Sequence, residues 1–361
     1  MPLTTPVAPA LPAARSTAPA SASVLPKGAM HVVSARHPSL SLLPPSDIVV
    51  ELDINRLMTL MMPKFTSMAP ADMLKMKQGL DELMTKTGID LTKITSVTAG
   101  FSYEGGPAGK GSGAILVYGL QPDLTKIATL LRGQKVAVKL SAHQGIPLMT
   151  GNLDALLRKQ LGTGATPSAA GQEMAMAYLG ENGLAIGDLG SVKSVIESHT
   201  GARPGFANAL HSETLERTAP GGLVRFSAVI PESMRQSMAT PNSPGAAFAA
   251  INVISGAVDV DAADGESVTI DLRARTGNAG EAATLQQQLG GFLTQGRALF
   301  SGKTDPNAAA LSQVMDQIQI NAEDREVSLS IYLPAALMRQ FQERAKPSAR
   351  RAAARRSVAM K

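Results

Sequence analysis

The stretch DIVVELDINRLM, residues 47–58, passes from one backbone period to another within twelve residues. Ile48, Val49, Val50, Leu52 and Ile54 form a β-rich run. From Asn55 the apolar positions move to helical spacing through Leu57, Met58 and Met61. The same change recurs at LVRFSAVIPESM, residues 223–234, where a strand over Leu223 to Ile230 leads through Pro231 into a helical start at Met234. Pro63 is expected to stop the first helix. A second helix follows Pro70 and closes at Gly88, a C-cap residue that tolerates left-handed backbone. Strands over Ser96 to Tyr103 and Gly113 to Leu120 read as a hairpin, followed by a helix from Leu124 to Leu131 and strands at 136–141 and 146–150. A hairpin at 174–179 and 183–187 then feeds a helix from Ser191 to His199.

After Leu223 the order repeats. A hairpin at 256–261 and 267–273 is turned by Asp264-Gly265, a long helix spans Glu281 to Leu299, and a last hairpin at 318–322 and 327–333 precedes a helix from Pro334. These readings give an α+β fold with antiparallel sheets packed against helices. They also suggest duplication of a strand-helix-hairpin-helix unit, with halves at 46–205 and 206–343. The Ala/Pro/Ser/Thr-rich residues 1–45 and the basic residues 344–361 are expected to be disordered flanks.

Composition narrows the function. Of 361 residues, 44% are apolar and 17% charged, enough for one large or two modest cores. Aromatics are only 3% and Trp is absent, which disfavours a stacking platform for bases or sugars; seventeen Met residues supply adaptable packing instead. With no Cys, thiol catalysis, disulfides and thiolate metal sites are excluded. The net charge of +5 is terminal: residues 1–45 carry +3 and 344–361 carry +7, leaving 46–343 at −5. A mildly acidic body is a poor phosphate-tracking surface.

Three glycine-rich places resemble phosphate loops in composition. Gly105 to Gly111 joins two strands and has Gly111 where a magnesium-binding hydroxyl belongs. Gly302-Lys303-Thr304 follows a helix instead of a strand. Gly187-Asp188-Leu189-Gly190-Ser191 has a strand before it and a helix after it, yet Asp188 puts negative charge where an anion would sit, and an N-cap at Ser191 accounts for the residues. The acids Asp259, Asp261, Asp264 and Glu266 have the wrong spacing for a calcium loop and read as a solvated hairpin tip; Asp259 and Asp261 on one strand face could recruit a partner.

Catalysis has little to stand on in the sequence. His31 and His37 fall in the head segment, His199 and His211 are twelve apart, and His143 lies near a strand end. No zinc-type His pair and no nucleophile elbow occur, so no cofactor, metal or catalytic residue is assigned; a triad assembled from distant residues stays open. The clearest electrostatic feature is the tail, where Lys346, Arg350, Arg351, Arg355, Arg356 and Lys361 are candidate contacts for an anionic polymer or lipid.

The stretches LLPPSDIVVELDINRLM (42–58), KTGIDLTKITSVTAGFSY (86–103) and LAIGDLGSVKSVIES (184–198) resemble an uncharacterised family of exported bacterial α+β proteins. The resemblance implies the fold and export, and no activity. Prolines at 2, 6, 9 and 12 interrupt any secretory core, so a signal peptide is not visible where the resemblance expects one, and a cytoplasmic location is the alternative. No run is long enough for a transmembrane helix. The function expected is a non-enzymatic binding or scaffolding module of the cell envelope, with a protein partner there. The alternatives are a hydrolase with dispersed carboxylates, marked by a deep pocket of convergent acids, and anion binding through the tail.

Overall fold

A computed structural model describes residues 39–66, 70–104, 110–152, 173–181, 183–204, 209–218, 221–239, 246–300 and 306–340. The Gly-rich loop after Glu104, the Gly302-Lys303-Thr304 segment, and both proposed disordered flanks apart from residues 39–45 lie outside them.

Twelve strands form one antiparallel sheet in the order β11-β12-β10-β9-β8-β1-β2-β3-β7-β6-β5-β4. In chain order these are β1 (Ile48–Asp53), β2 (Ser96–Glu104), β3 (Lys110–Tyr118), β4 (Val138–His143), β5 (Ile146–Gly151) and β6 (Met174–Gly180). β7 (Gly183–Asp188), β8 (Val224–Val229), β9 (Ile251–Val260), β10 (Val268–Thr276), β11 (Ile318–Glu323) and β12 (Glu326–Leu333) complete it. The two stretches quoted at the outset are the centre: β1 and β8 pair antiparallel, with Val50 opposite Phe226. Outward from that seam each side runs in the same order, a hairpin first (β2-β3 or β9-β10) and then the last strand of that half (β7 or β12). The first half carries one additional hairpin, β4-β5.

The helices are α1 (Ser39–Leu42), α2 (Ile54–Thr66), α3 (Pro70–Thr87), α4 (Leu124–Gly133), α5 (Leu189–His199), α6 (Ala209–Arg217), α7 (Glu232–Met238), α8 (Ala279–Phe300) and α9 (Pro306–Asp316), with a further helix, α10, at 335–340. Several expectations change. Residues 39–45, expected in a disordered flank, are structured: α1 precedes β1 and Leu43 is 1% exposed in the core. α2 continues through Pro63 to Thr66, at the loss of one backbone hydrogen bond. The cap of α5 is Asp188, not Ser191, and Ser191 instead donates its N–H to the Asp188 carboxylate at 2.9 Å. Gly88 does close α3, with φ +74 and its N–H on the Met84 carbonyl at 2.8 Å.

Strand alternation gives the sheet two unlike faces. On the face that carries Val49, the first half is a fully buried core of Ala114, Leu116, Leu148, Ala177 and Ala185 under Val192, Val195 and Ile196 of α5. Across the seam the same face turns polar, with Ser227, Ser255, Arg273 and Ser328 in register. Arg275 and Arg217 pair with Glu213 of α6 there at 2.9 and 3.1 Å, and Arg273 pairs with Glu326 at 2.7 Å. Both open edges of the sheet are blunted by a helix side chain: Arg132 of α4 donates to the Val138 carbonyl on β4 at 3.2 Å, and Gln286 of α8 to the Ile320 carbonyl on β11 at 3.4 Å.

Candidate functional site

The opposite face, which carries Val50, is the candidate site. One row of directly paired positions crosses all twelve strands: Leu140, Met149, Met176, Ile186, Ile115, Ala99, Val50, Phe226, Gly256, Leu272, Leu329 and Ile320. No member of the row is polar. The neighbouring row holds Leu184, Val117, Val97, Leu52, Val224, Val258, Ile270, Ile331 and Ile318 on nine strands in register.

The cover over these rows is uneven. In the first half α4 packs Leu124, Ile127, Ala128 and Leu131 against Met149, with Met176 and Tyr178 beside them. In the second half α8 seats Ala282 and Leu285 on Ile254, Ala274 and Val327. Between them Val50, Leu52, Phe226, Val258, Ile270, Leu272, Leu329 and Ile331 stay half-buried. Phe226 lies over Gly256, where an added Cβ would come within 2.6 Å of its ring, and Phe101 covers Gly113 in the same way at 2.7 Å. Each half therefore uses a glycine to let an aromatic ring lie flat on this face.

The helices that border the face also lose their cover along their length. α3 is anchored at its C-terminal end by buried Thr87, and its stripe then emerges at Met76 and Met73, with Leu74 57% exposed beside it. α8 behaves alike, from buried Ala282 and Leu285 to Phe292 at 53% and Leu299 at 58%. Apolar area left in water costs about 25 cal/mol per Å² relative to burial, so such stripes mark surfaces that gain by being covered.

At one end of the face α2, the β9-β10 hairpin and α10 border a half-open cavity of about 120 Å³. Its lining is Leu57, Leu60, Met61, Leu223, Val260, Gly265, Glu266, Val268 and Met338. Val260 and Val268 pair with each other and extend the apolar face directly into it. Two ion pairs tie the surrounding elements together. Arg56 meets Asp259 at 2.6 Å and also donates to the Val260 carbonyl, and Arg339 meets Glu266 at 2.7 Å.

The residues singled out from sequence fall elsewhere or do other work. Asp188 fills the helix terminus where an anion would sit: one oxygen takes the Ser191 N–H and the other the Gly113 N–H at 2.7 Å. The acids of the β9-β10 hairpin do not converge. Asp259 is paired with Arg56 and Glu266 with Arg339, while Asp261 and Asp264 accept turn N–H groups at 2.8 Å. The hydrogen bonds from Ser267 hold the Asp264 carboxyl below the usual carboxylate range. His143 pairs with Glu197 at 3.0 Å, tying β4 to α5. The tail residues Lys346, Arg350, Arg351, Arg355, Arg356 and Lys361 lie outside the described residues.

His211 is the buried titratable group of the seam. Fully buried on α6, its ring meets Ser227 Oγ of β8 at 2.8 Å and the Ser46 carbonyl ahead of β1 at 2.9 Å. Since a carbonyl can only accept, Nε2 carries a proton and donates to Ser46. Burial pushes the ring's pKa down from its ordinary 6.5, against smaller opposing effects of the Ser46 carbonyl and the Asp47 charge. The site gave no signal in sequence, since it is made by register among twelve strands and not by any local motif.

Among the described residues no three His, Asp or Glu side chains gather as a metal site, and no helix is long and apolar enough to cross a membrane. No family model matches the chain, and no curated protein matches it. Two solved structures are similar in outline, crystal forms III and I of TP0453. The first aligns with a TM-score of 0.41 at 12% identity, over 82% of this chain and 94% of that one. The second gives 0.38 at 10%, over 82% and 93%.

Proposed function

We propose that the protein is a non-enzymatic binding module of the cell envelope that holds an apolar group against the Val50 face of its sheet. The observation that carries this is the row from Leu140 to Ile320, apolar or glycine at every strand, with Val50, Phe226, Leu272 and Leu329 half-buried in its middle. A core that needed only to fold would close over such a row, as the Val49 face does under α5. A hydrolytic pocket would instead gather acids; the cavity beside the face has one, Glu266, held by Arg339. The envelope location rests on the resemblance of residues 42–58, 86–103 and 184–198 to exported proteins. The duplication belongs to the same proposal, supported by the equal outward order of strands from the β1-β8 seam.

An environment-sensitive apolar dye tests the binding role. The folded protein is expected to bind it saturably, and the signal to fall when Phe226→Asp places a charge in the middle of the row. Dye that binds only after partial denaturation contradicts the reading. For location, fractionation of cells that carry the native gene with its upstream region is expected to recover the protein with the envelope; recovery in the cytoplasm contradicts it.

A further inference from the structure

We infer that the row of hydrogen bonds through His211, Ser227 and Thr214 at the β1-β8 seam is a binding site for one proton, taken up at His211 Nδ1 while the fold stays closed. The site lies on the Val49 face, so the inference stands apart from the binding role proposed above. Among the described residues four contacts join these groups in a row. His211 Nε2 meets the Ser46 carbonyl at 2.9 Å and Nδ1 meets Ser227 Oγ at 2.8 Å. Ser227 Oγ meets Thr214 Oγ1 at 2.8 Å, and Thr214 Oγ1 meets the Leu210 carbonyl at 2.7 Å. His211, Ser227 and Thr214 are all buried.

The protons do not match the contacts while the ring is neutral. Both ends of the row are carbonyl oxygens, which only accept, so each of the four contacts needs a proton from the three side chains between them. A neutral imidazole brings one and each hydroxyl brings one, which makes three. One contact is then left as two acceptors facing each other at a buried site, which is unfavourable. The imidazolium brings the fourth proton. Nδ1 then donates to Ser227, Ser227 to Thr214 and Thr214 to Leu210, with no heavy atom displaced. The His211 carbonyl, 3.2 Å from Thr214 Oγ1, is a second acceptor at the same end and leaves the count unchanged.

A buried cation also needs an opposite charge nearby. Asp47 follows the Ser46 carbonyl that receives the Nε2 proton, and its carboxylate is held in place by Ser102 Oγ at 2.9 Å and the Tyr103 N–H at 2.8 Å. That charge and the Ser46 carbonyl both favour the protonated ring, against the larger effect of burial. The remaining charges around α6 are engaged or turned outward. Glu51 of β1 pairs with Arg225 of β8, Glu213 of α6 pairs with Arg275 of β10 and with Arg217, and Glu216 is exposed. β9 sets Ser255 and Ala257 beside Ser227 and Arg225 on this face, and neither carries charge.

Isotope-edited NMR of the imidazole nitrogens in the full chain tests this, the His211 signals being those lost in His211→Gln. As pH falls, Nδ1 is expected to gain its proton while the backbone amides of α6 and β8 keep their native positions. Thr214→Val preserves shape and removes one hydroxyl, which leaves two contacts and two protons when the ring is neutral. It is expected to hold the added proton about tenfold more weakly, because Ser227 then has no acceptor to turn to. Thr214→Ser restores the hydroxyl and is expected to hold the proton as the wild type does. Asp47→Asn keeps an oxygen for Ser102 and Tyr103 but drops the charge, and is expected to weaken the proton's hold severalfold. Urea melts establish which variants are folded, and if neither Thr214→Val nor Asp47→Asn folds, the wild-type titration decides alone. If Nδ1 stays unprotonated until the chain unfolds, or if its protonation frees α6 from its native position, the seam is not a proton site. A folded Thr214→Val that holds the proton as tightly as the wild type overturns the role of the row, and a folded Asp47→Asn that does so overturns the counter-charge.

Discussion

Gly119→Ala is expected to destabilise the fold by about 4 kcal/mol and to lower ligand binding with it, the largest effect of an added methyl among the described glycines. Gly119 follows β3 with φ +92, a conformation that costs an alanine about 1–2 kcal/mol by itself. The added Cβ would stand 1.8 Å from the Lys93 carbonyl oxygen and 3.0 Å from the Thr95 nitrogen, so backbone has to move. That backbone cannot move alone. Thr95 donates to the Tyr118 carbonyl at 2.9 Å, and its own carbonyl receives the N–H groups of Ile54 and Asn55 at 3.1 Å, where α2 begins. The strain therefore passes to the helix that supplies Leu57, Leu60 and Met61 to the cavity. Gly290→Ala is the contrast: it lies inside α8 with nothing within 4 Å of the new methyl, and is expected to stabilise by about 0.5–1 kcal/mol. Urea unfolding of both variants checks this; equal midpoints would show that the Gly119 turn yields more easily than its geometry implies.

His211→Ala is expected to cost about 3–4 kcal/mol, from a cavity at a fully buried site and from two abandoned hydrogen-bond partners. Ser46 precedes β1 and Ser227 lies on β8, so the ring joins the two strands of the seam to α6, where Thr214 Oγ1 also reaches Ser227 at 2.8 Å. The same residue sets a pH dependence. Because burial holds the folded ring's pKa below 6.5, the unfolded chain takes up the proton first as pH falls. Its contribution to stability is complete above about pH 6.5, declines as pH drops below that value, and levels off once the folded ring also protonates. Asp47 is the charged neighbour that opposes the shift. Urea midpoints at pH 7.5 and 5.5 should lie further apart in the wild type than in His211→Gln. Equal separations would remove His211 as the source.

The strands were legible in sequence because they are period-two runs between turn residues. Met174–Gly180, Gly183–Asp188 and Val268–Thr276 begin and end within three residues of their expected limits. What failed to show follows from chemistry. α6 turns His211, Thr214 and Leu215 inward, with Thr218 buried just after it, a stripe that is mostly polar and so carries no apolar period. α9 buries Ala308 and Ala310, whose small side chains scarcely register. α1 lies in a proline-rich context that reads as a linker. The site was hidden for a different reason. Each of its residues looks like ordinary strand packing, and only the pairing of β1 with β8, 176 residues apart at Val50 and Phe226, aligns the two halves into one apolar row.

Photolabelling of the folded protein with an alkyl diazirine, followed by peptide mapping, tests the central claim most directly. Label is predicted on α2 and on the strands around Val50, Phe226, Leu272 and Leu329, and is predicted to fall in the presence of excess apolar dye. Label spread over α3 and the C-terminal half of α8, or unchanged by the competitor, would mean that the Val50 face is interior packing and not a binding surface.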